Sequence, residues 1–424
     1  MFCLIKCPRI ENMAKRTQNT LYTNDNLYVL SGLNSGLVDL IYLDPPFNTK
    51  RMYSAPVGSK AAGASFKDMW TWKDVDEYYL ETLADQFPAL EKYITSVGVV
   101  HSKPMMAYLT YMAQRIIEMH RVLKDTGSLY LHCDPTASHY LKSLLDCIFG
   151  KNSFRNEVIW CYKRPSAPKQ RQLPRLHDTI FWYSKGKKWT FNRELIRVPY
   201  AQSSIERAGY AANVSRMTDG GVVELKEGGK LPEDWWDIPM LKGNSKESTG
   251  YPTQKPLALL KRIILASSNE DDLIMDPFCG CATTCVAAQQ LGRKWIGIDL
   301  EKQSVKILIQ RLSDDAGLFK DFTATKQIPQ RTDVQIVPPT EPIKQRLYRE
   351  QKGKCKACGQ DFECRNLEID HIIPKSKGGG DYYENYQLLC GNCNRIKGDR
   401  PMEFLRVKLD TIERMTKTKI FFGE

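Results

Sequence analysis

The apolar run VDLIYL, residues 38 to 43, stops at Asp44-Pro45-Pro46-Phe47. A carboxylate and a prolyl carbonyl there are two acceptors on a stiff loop. An adenine amino nitrogen shares its lone pair with the ring and is a poor nucleophile. Two acceptors, each taking one N–H, pull it toward tetrahedral geometry and aim the lone pair at an electrophile such as a sulfonium methyl. The phenylalanine can stack on a base swung out of a duplex, as chemistry on a base edge requires. The plainer alternative is an Asp-Pro turn that merely closes a strand.

A second constellation is Asp276-Pro277-Phe278-Cys279-Gly280-Cys281, followed by helical TTCVAAQQLG and then by Asp299 at the end of WIGIDL. A tight loop at a strand's C-terminal end lets backbone N–H groups approach a nucleoside cofactor. An acid closing the next strand, about twenty residues on, can accept its ribose hydroxyls. A sheet loop with a solvated aspartate is the alternative.

A third group lies near the C-terminus. Cys355-x-x-Cys358 and Cys390-x-x-Cys393 form two thiolate knuckles, the arrangement of a structural zinc site. Between and just beyond them stand Asp370-His371, a glycine-rich turn, Asn385 and Asn394, with Cys364 left over. A lone histidine is most often structural; an Asp-His pair inside a zinc-stapled frame points to catalysis.

These groups need strands and crossover helices to hold them. VDLIYL, SLYLHCD from Ser128, NEVIWCY and LIMDPF read as strands, and SHYLKSLLDCIFG as a helix. Pro104 opens a long helix whose Met105, Met106, Leu109, Met112, Ile116, Met119 and Leu123 recur at helical spacing and predict a core face. The alternation predicts an α/β sheet. Residues 48–103, with Phe66, Trp70 and Trp72, suit an insertion over a site. Residues 161–249 lack clean periodicity and read as an inserted, substrate-facing region. Its Lys163, Arg164, Lys169, Arg171, Arg175, Lys187, Lys188 and Trp189 suit nucleic-acid contact, whereas Trp235 and Trp236 suit packing. The organisation expected is an extension over 1–16, a sheet domain over 17–324, a proline-bearing linker over 325–342 and a small module over 343–424.

Composition narrows the partners. The 424 residues carry a net charge of +12, of which residues 341–424 hold +4, and both parts favour a polyanion. No apolar run reaches the roughly 18 residues of a membrane span, and MFCLIKCPRI lacks the pattern of a secretory signal, so the chain reads as cytoplasmic. Its thirteen cysteines then read as core thiols and metal ligands rather than disulfides.

Together TNDNLYVL, DPPFN, YLHCD, HDTIFWYSK, GYPTQKPLALLKRII and DPFCGCATT, in this order, resemble the beta group of DNA amino-methyltransferases over residues 17 to 315. The resemblance implies a Rossmann-like class I S-adenosylmethionine-dependent methyltransferase sheet, with 161–249 as target-recognition region. It implies that Asp44, Pro45, Pro46 and Phe47 hold the target base, and that Asp276, Pro277, Phe278, Gly280 and Asp299 line the cofactor pocket. Lys255 would sit near the methionine end and Asp25 near the cofactor adenine. Ala282 and Asn24 stand where relatives often carry glycine. DPPF favours adenine N6 over cytosine N4, with cytosine the runner-up.

The tail resembles an HNH, or ββα-metal, nuclease. That likeness implies His371 as general base, Asp370 and Asn394 as ligands of magnesium or another divalent ion, and Asn385 as the residue that orients the histidine loop. The expected partner is double-stranded DNA, and relatives of this group often dimerise. A tail that only clamps DNA is the second reading, and a wholly non-enzymatic DNA-binding factor the third.

Overall fold

A computed structural model describes residues 18 to 409, apart from 50, 57, 63–64, 69–79, 81–82, 85, 164–170, 172, 209–224, 302, 315–321, 401, 403 and 406–407. The extension over 1–16, Trp70, Trp72, Arg164, Lys169 and the end of the tail lie outside the described residues.

The strands in chain order are β1 (Thr20–Tyr22), β2 (Val38–Leu43), β3 (Arg51–Ser54), β4 (Ser65–Asp68), β5 (Leu123–Cys133), β6 (Phe154–Cys161), β7 (His177–Ser184), β8 (Trp235–Asp237), β9 (Leu273–Asp276), β10 (Lys294–Ile298), β11 (Thr323–Thr325), β12 (Leu367–His371) and β13 (Tyr386–Cys390). Nine of them build one sheet in the order β11-β1-β10-β9-β2-β5-β7-β6-β8. Pairing is parallel from β11 through β5, and β7 runs antiparallel to both β5 and β6.

Helices cover both faces, so β2 and β9 are apolar runs rather than alternating ones. One face packs against the helices Asn26–Gly32, Pro88–Val100, Lys103–Val122 and Ser138–Phe149; the other takes Leu257–Ser267 and Thr283–Gln290. The methionine stripe belongs to the first core: Met105, Leu109, Met112, Ile116, Met119 and Leu123 are buried, and Met106 packs at its edge. Ser102 caps that helix, its Oγ accepting from the Met105 amide, and Pro104 sits in the first turn.

Three differences from the sequence reading matter. First, residues 161–249 are not wholly an insertion, because β7 lies inside the sheet and β8 at its edge. HDTIFWYS ends in six consecutive buried residues and so shows no alternation, and its basic flanks disguise it as a loop. Second, Trp236 is buried but Trp235 is 57% exposed, since neighbours on a strand face opposite ways. Third, residues 48–103 hold the hairpin β3–β4 and the helix Pro88–Val100 rather than loop alone.

The proline-bearing segment is fastened to the sheet domain. β11 pairs with β1, and Asn24 Nδ2 donates to the Lys326 carbonyl at 2.9 Å. Beyond it the Thr332 amide donates to Asn34 Oδ1 and the Ser35 amide to Asp333 Oδ2. Gly32 allows the close approach: a Cβ there would lie 2.0 Å from the Pro329 carbonyl oxygen. After the helix Glu341–Glu350, the C-terminal module pairs β12 antiparallel with β13 and lays the helix Gly391–Lys397 against them, a ββα unit with its own core of Ile343, Leu347, Leu367, Leu388 and Leu389.

Candidate active site

β10, β9 and β2 are parallel neighbours, so Asp299, Asp276 and Asp44, which follow or end them, emerge at one edge of the sheet. They line a single cavity of about 540 Å³, a volume suited to a nucleoside cofactor with a base beside it.

At the end of β9, Asp276 is engaged through both its oxygens. Its Oδ1 accepts from the Phe278 amide at 3.0 Å and its Oδ2 from Thr284 Oγ1 at 2.5 Å, which fixes the turn carrying Pro277 and Phe278. Burial pushes its carboxyl up to about 7. Asp299 accepts the amides of Gly280 and Glu301, both at 2.8 Å, and burial raises its carboxyl to about 6. Each oxygen retains a lone pair for a ribose hydroxyl. Gly280 (φ +50°) and Ala282 (φ 58°) both take the left-handed conformation, so alanine stands where glycine carries no steric penalty.

Asp25, expected at the cofactor adenine, has two protein partners. Its Oδ1 caps the helix Asn26–Gly32 through the Leu27 amide, and its carboxylate pairs with Arg115 at 3.0 Å. Its neighbours Asn24 and Asn26 line the cavity instead, and Asn26 Nδ2 donates to the Pro277 carbonyl.

At the end of β2, Lys255 lies against Asp44 Oδ2 as a largely buried ion pair, with its Nζ 5.6 Å from the centroid of the Phe47 ring. Lys255, expected near the methionine end of a cofactor, thus lies against the loop that carries Asp44 and Phe47. Asp44 Oδ1 is buried, and no group among the described residues bonds it.

Behind Phe47 lies a network that the sequence reading missed, although YLHCD and HDTIFWYSK contain its members. The His132 ring stacks on Phe47 with centroids 6.1 Å apart and planes 26° apart. Its Nδ1 is 2.9 Å from the Tyr42 hydroxyl and its Nε2 is 3.1 Å from Asp178 Oδ2. Tyr162 donates to the other Asp178 oxygen. Burial pushes the Asp178 carboxyl up, but the hydrogen bonds from His132 and Tyr162 and the charge of Lys255 outweigh it and hold the group below the ordinary carboxylate range. An ionised Asp178 accepts from Nε2–H, which leaves Nδ1 to accept from Tyr42.

Outside this cavity, Lys163, Arg171, Arg175, Lys187, Lys188 and Trp189 are exposed, and Arg155 stacks on the Trp189 ring at 3.6 Å.

In the C-terminal module the four thiols of Cys355, Cys358, Cys390 and Cys393 lie within 4.8 Å of one another, and the Cys390 amide donates to Cys355 Sγ. Four soft donors at this spacing fit a tetrahedral zinc ion. His371 Nε2 pairs with Asp381 Oδ1 at 2.8 Å, and Asp381 also accepts from Lys375 and Tyr386. Asn385 stitches the following loop, bonding Ile373 through both its amide atoms and the Gly380 carbonyl through Nδ2.

Asp370 and Asn394, expected to hold a divalent ion, each bond a different protein partner. Asp370 is buried between Lys397 Nζ at 3.0 Å and Gln387 Nε2 at 2.7 Å, while Asn394 donates to Glu368 Oε2 at 2.5 Å. The pairs Glu368–Asn394 and Asp370–Lys397 follow from laying a helix, with its three-residue spacing, across a strand with its two-residue spacing.

The parallel strands and their acidic, nucleoside-sized cavity define a cofactor-dependent α/β enzyme. Residues 38–310 match the family described as DNA methylase, and the chain belongs to that family; residues 355–400 match the HNH endonuclease family. It is thus a DNA amino-methyltransferase carrying an HNH domain. Among similar proteins are the DNA adenine methyltransferase YhdJ of Escherichia coli (strain K12), 28% identical over 72% of this chain and 84% of that one, and the type II methyltransferase M.BglII of Bacillus subtilis, 25% identical over 80% and 81%. Among solved structures is PvuII DNA methyltransferase (cytosine-N4-specific), 15% identical over 74% of this chain and 97% of that one, with a TM-score of 0.43. Among the described residues no helix is long and apolar enough to cross a membrane.

Proposed function

We propose that the chain transfers a methyl group from S-adenosylmethionine to adenine N6 at specific sites in duplex DNA. The observation that supports this reading is that Asp44 and Phe47 share one cavity with Asp276 and Asp299. A base amine and a nucleoside cofactor would therefore meet without either leaving its subsite. The cofactor supplies an electrophilic methyl on a sulfonium. Asp299 accepts the ribose hydroxyls, and the Asp276 turn presents Phe278 to the adenine. Asp44 and the Pro45 carbonyl accept the two N–H bonds of the target amine, and Phe47 stacks on the flipped base. Exposed Lys163, Arg171, Arg175, Lys187 and Lys188 contact the DNA backbone.

The HNH module is read as a magnesium-dependent nickase or endonuclease with His371 as base, held by Asp381, and with the four cysteines on structural zinc. Divalent-ion binding there requires Asp370 to leave Lys397. The second reading, cytosine N4 as target, draws on the loose correspondence between DPP-aromatic loops and base identity. The test is incubation with labelled S-adenosylmethionine and mixed-sequence duplex, then nucleoside mass spectrometry and a nicking gel with magnesium. N6-methyladenine is expected; N4-methylcytosine would move the assignment to the second base, and no methylated nucleoside would overturn both.

A further inference from the structure

The Asp44 carboxylate, as it stands, cannot receive a substrate amine. Its Oδ2 is taken by the Lys255 ammonium, and its Oδ1 is shut away from solvent without a partner. A neutral amine is a weaker donor than an ammonium, so an arriving base does not displace Lys255 from that oxygen by itself. Lys255 also hangs near the Phe47 ring, where the base would stack.

Lys255 is at the same time the one cation among the described residues that line the cavity, against the carboxylates of Asp44, Asp68, Asp276, Asp299 and Glu301. S-Adenosylmethionine brings a sulfonium and an α-ammonium, which the acids attract, and one carboxylate, for which Lys255 is the only charged partner in that lining. A lysine carries its charge on a flexible four-carbon stem and can exchange one anion for another without moving its backbone.

We propose that Lys255 is a latch with two anionic partners. In the empty cavity it holds Asp44 closed; the carboxylate of the entering S-adenosylmethionine draws its ammonium away, and Asp44 opens to the target amine only when the methyl donor is in place. The inference rests on the methyl-transfer reading of this cavity and makes cofactor and base binding mutually supportive.

Two measurements test it. In calorimetry, K255Q binds S-adenosylhomocysteine about tenfold or more weakly than the unaltered protein, because a charge-assisted contact to the ligand carboxylate is gone. It binds 5′-methylthioadenosine, which lacks that carboxylate, equally well, and this also reports that K255Q is folded. In fluorescence, a duplex carries an emissive analogue in place of the base that the unaltered enzyme methylates, located from its methylated product. S-Adenosylhomocysteine tightens capture of that base about tenfold in the unaltered enzyme, 5′-methylthioadenosine does not, and K255Q captures it without any cofactor. Equal losses of both ligands in K255Q, or cofactor-free capture unchanged by the substitution, would overturn the latch. The calorimetric arm contains no DNA, so a protein that binds S-adenosylhomocysteine in this pattern yet methylates no base would refute the proposed function and leave the carboxylate partner of Lys255 established.

Discussion

The imidazole of His132 lies flat behind the ring of Phe47, and both of its nitrogens are within hydrogen-bonding distance of a side chain, Tyr42 on one side and Asp178 on the other. A fully buried ring fixed at both nitrogens can turn only by breaking a buried hydrogen bond, so it holds the plane of Phe47 and, through it, the plane on which a flipped base would stack in the proposed function. His132 does not itself line the cavity, and in the proposed function it acts as a positioning residue.

Replacing it is therefore expected to raise KM for DNA and lower kcat while leaving cofactor affinity in place. His132→Ala should lower kcat/KM for DNA by roughly 10- to 100-fold, and His132→Gln, which keeps polar atoms in the pocket, should recover part of it. Calorimetry with S-adenosylmethionine accompanies the kinetics: if cofactor binding falls in parallel, His132 supports the whole sheet edge rather than Phe47.

In the proposed function, Asp44→Ala removes the acceptor of the reacting amine. Methyl transfer should fall by about 10³-fold or more, because this contact is worth most in the transition state. Cofactor affinity should hold or improve, since Lys255 loses its competing partner. A matching loss of cofactor binding would assign Asp44 to the cofactor instead.

The pH dependence of cofactor binding follows from Asp299. Its folded-state carboxyl is raised to about 6, and the ionised form is the one that would accept ribose hydroxyls in the proposed function. Below about 6 a proton must leave before the cofactor is held, so affinity should weaken by up to about tenfold per pH unit and level off above 7. Stability of the empty protein has the opposite sign. Burial disfavours the charged forms of Asp299 and of Asp276, raised to about 7, so both cost stability at high pH, and the cost is relieved as pH falls through these values toward the unfolded ones near 4. Calorimetric titrations at pH 5.5 and 7.5, with thermal melts of the empty protein, check both signs; an affinity flat across this range would remove Asp299 from the ribose.

Chelating zinc should unfold the C-terminal module while the nine-stranded sheet survives, because structural zinc contributes folding free energy directly and the module's core is separate from the sheet's. The strap over 323–333 should keep its protection, since its hydrogen bonds go to β1, Asn24, Asn34 and Ser35 rather than to the module. Hydrogen exchange resolved by segment, before and after chelation, is the measurement. Loss of protection in β1 and β11 together with β12 and β13 would show a single cooperative unit.

Chemistry confined to short windows is legible in the sequence alone. Asp44-Pro45-Pro46-Phe47 and Asp276-Pro277-Phe278 carry their geometry in a few adjacent residues, and proline stiffness and strand ends act locally. The two cysteine knuckles pair by spacing alone, and the methionine stripe declares a core face because its period is that of a helix. The tertiary structure decided everything that depends on which distant strands are neighbours. Lys255 and Asp44 are 211 residues apart and meet only because the loop before the helix Leu257–Ser267 closes over the end of β2. His132 finds Asp178 because β7 returns antiparallel beside β5, within a stretch whose continuous burial erased the alternation that would mark a strand. Asp25 caps a helix start and pairs with Arg115 while its neighbours Asn24 and Asn26 line the cavity, and Asp370 pairs with Lys397, partners that no local spacing announces. A side chain's type limits what it can do; which partner reaches it first, across the fold, decides what it does.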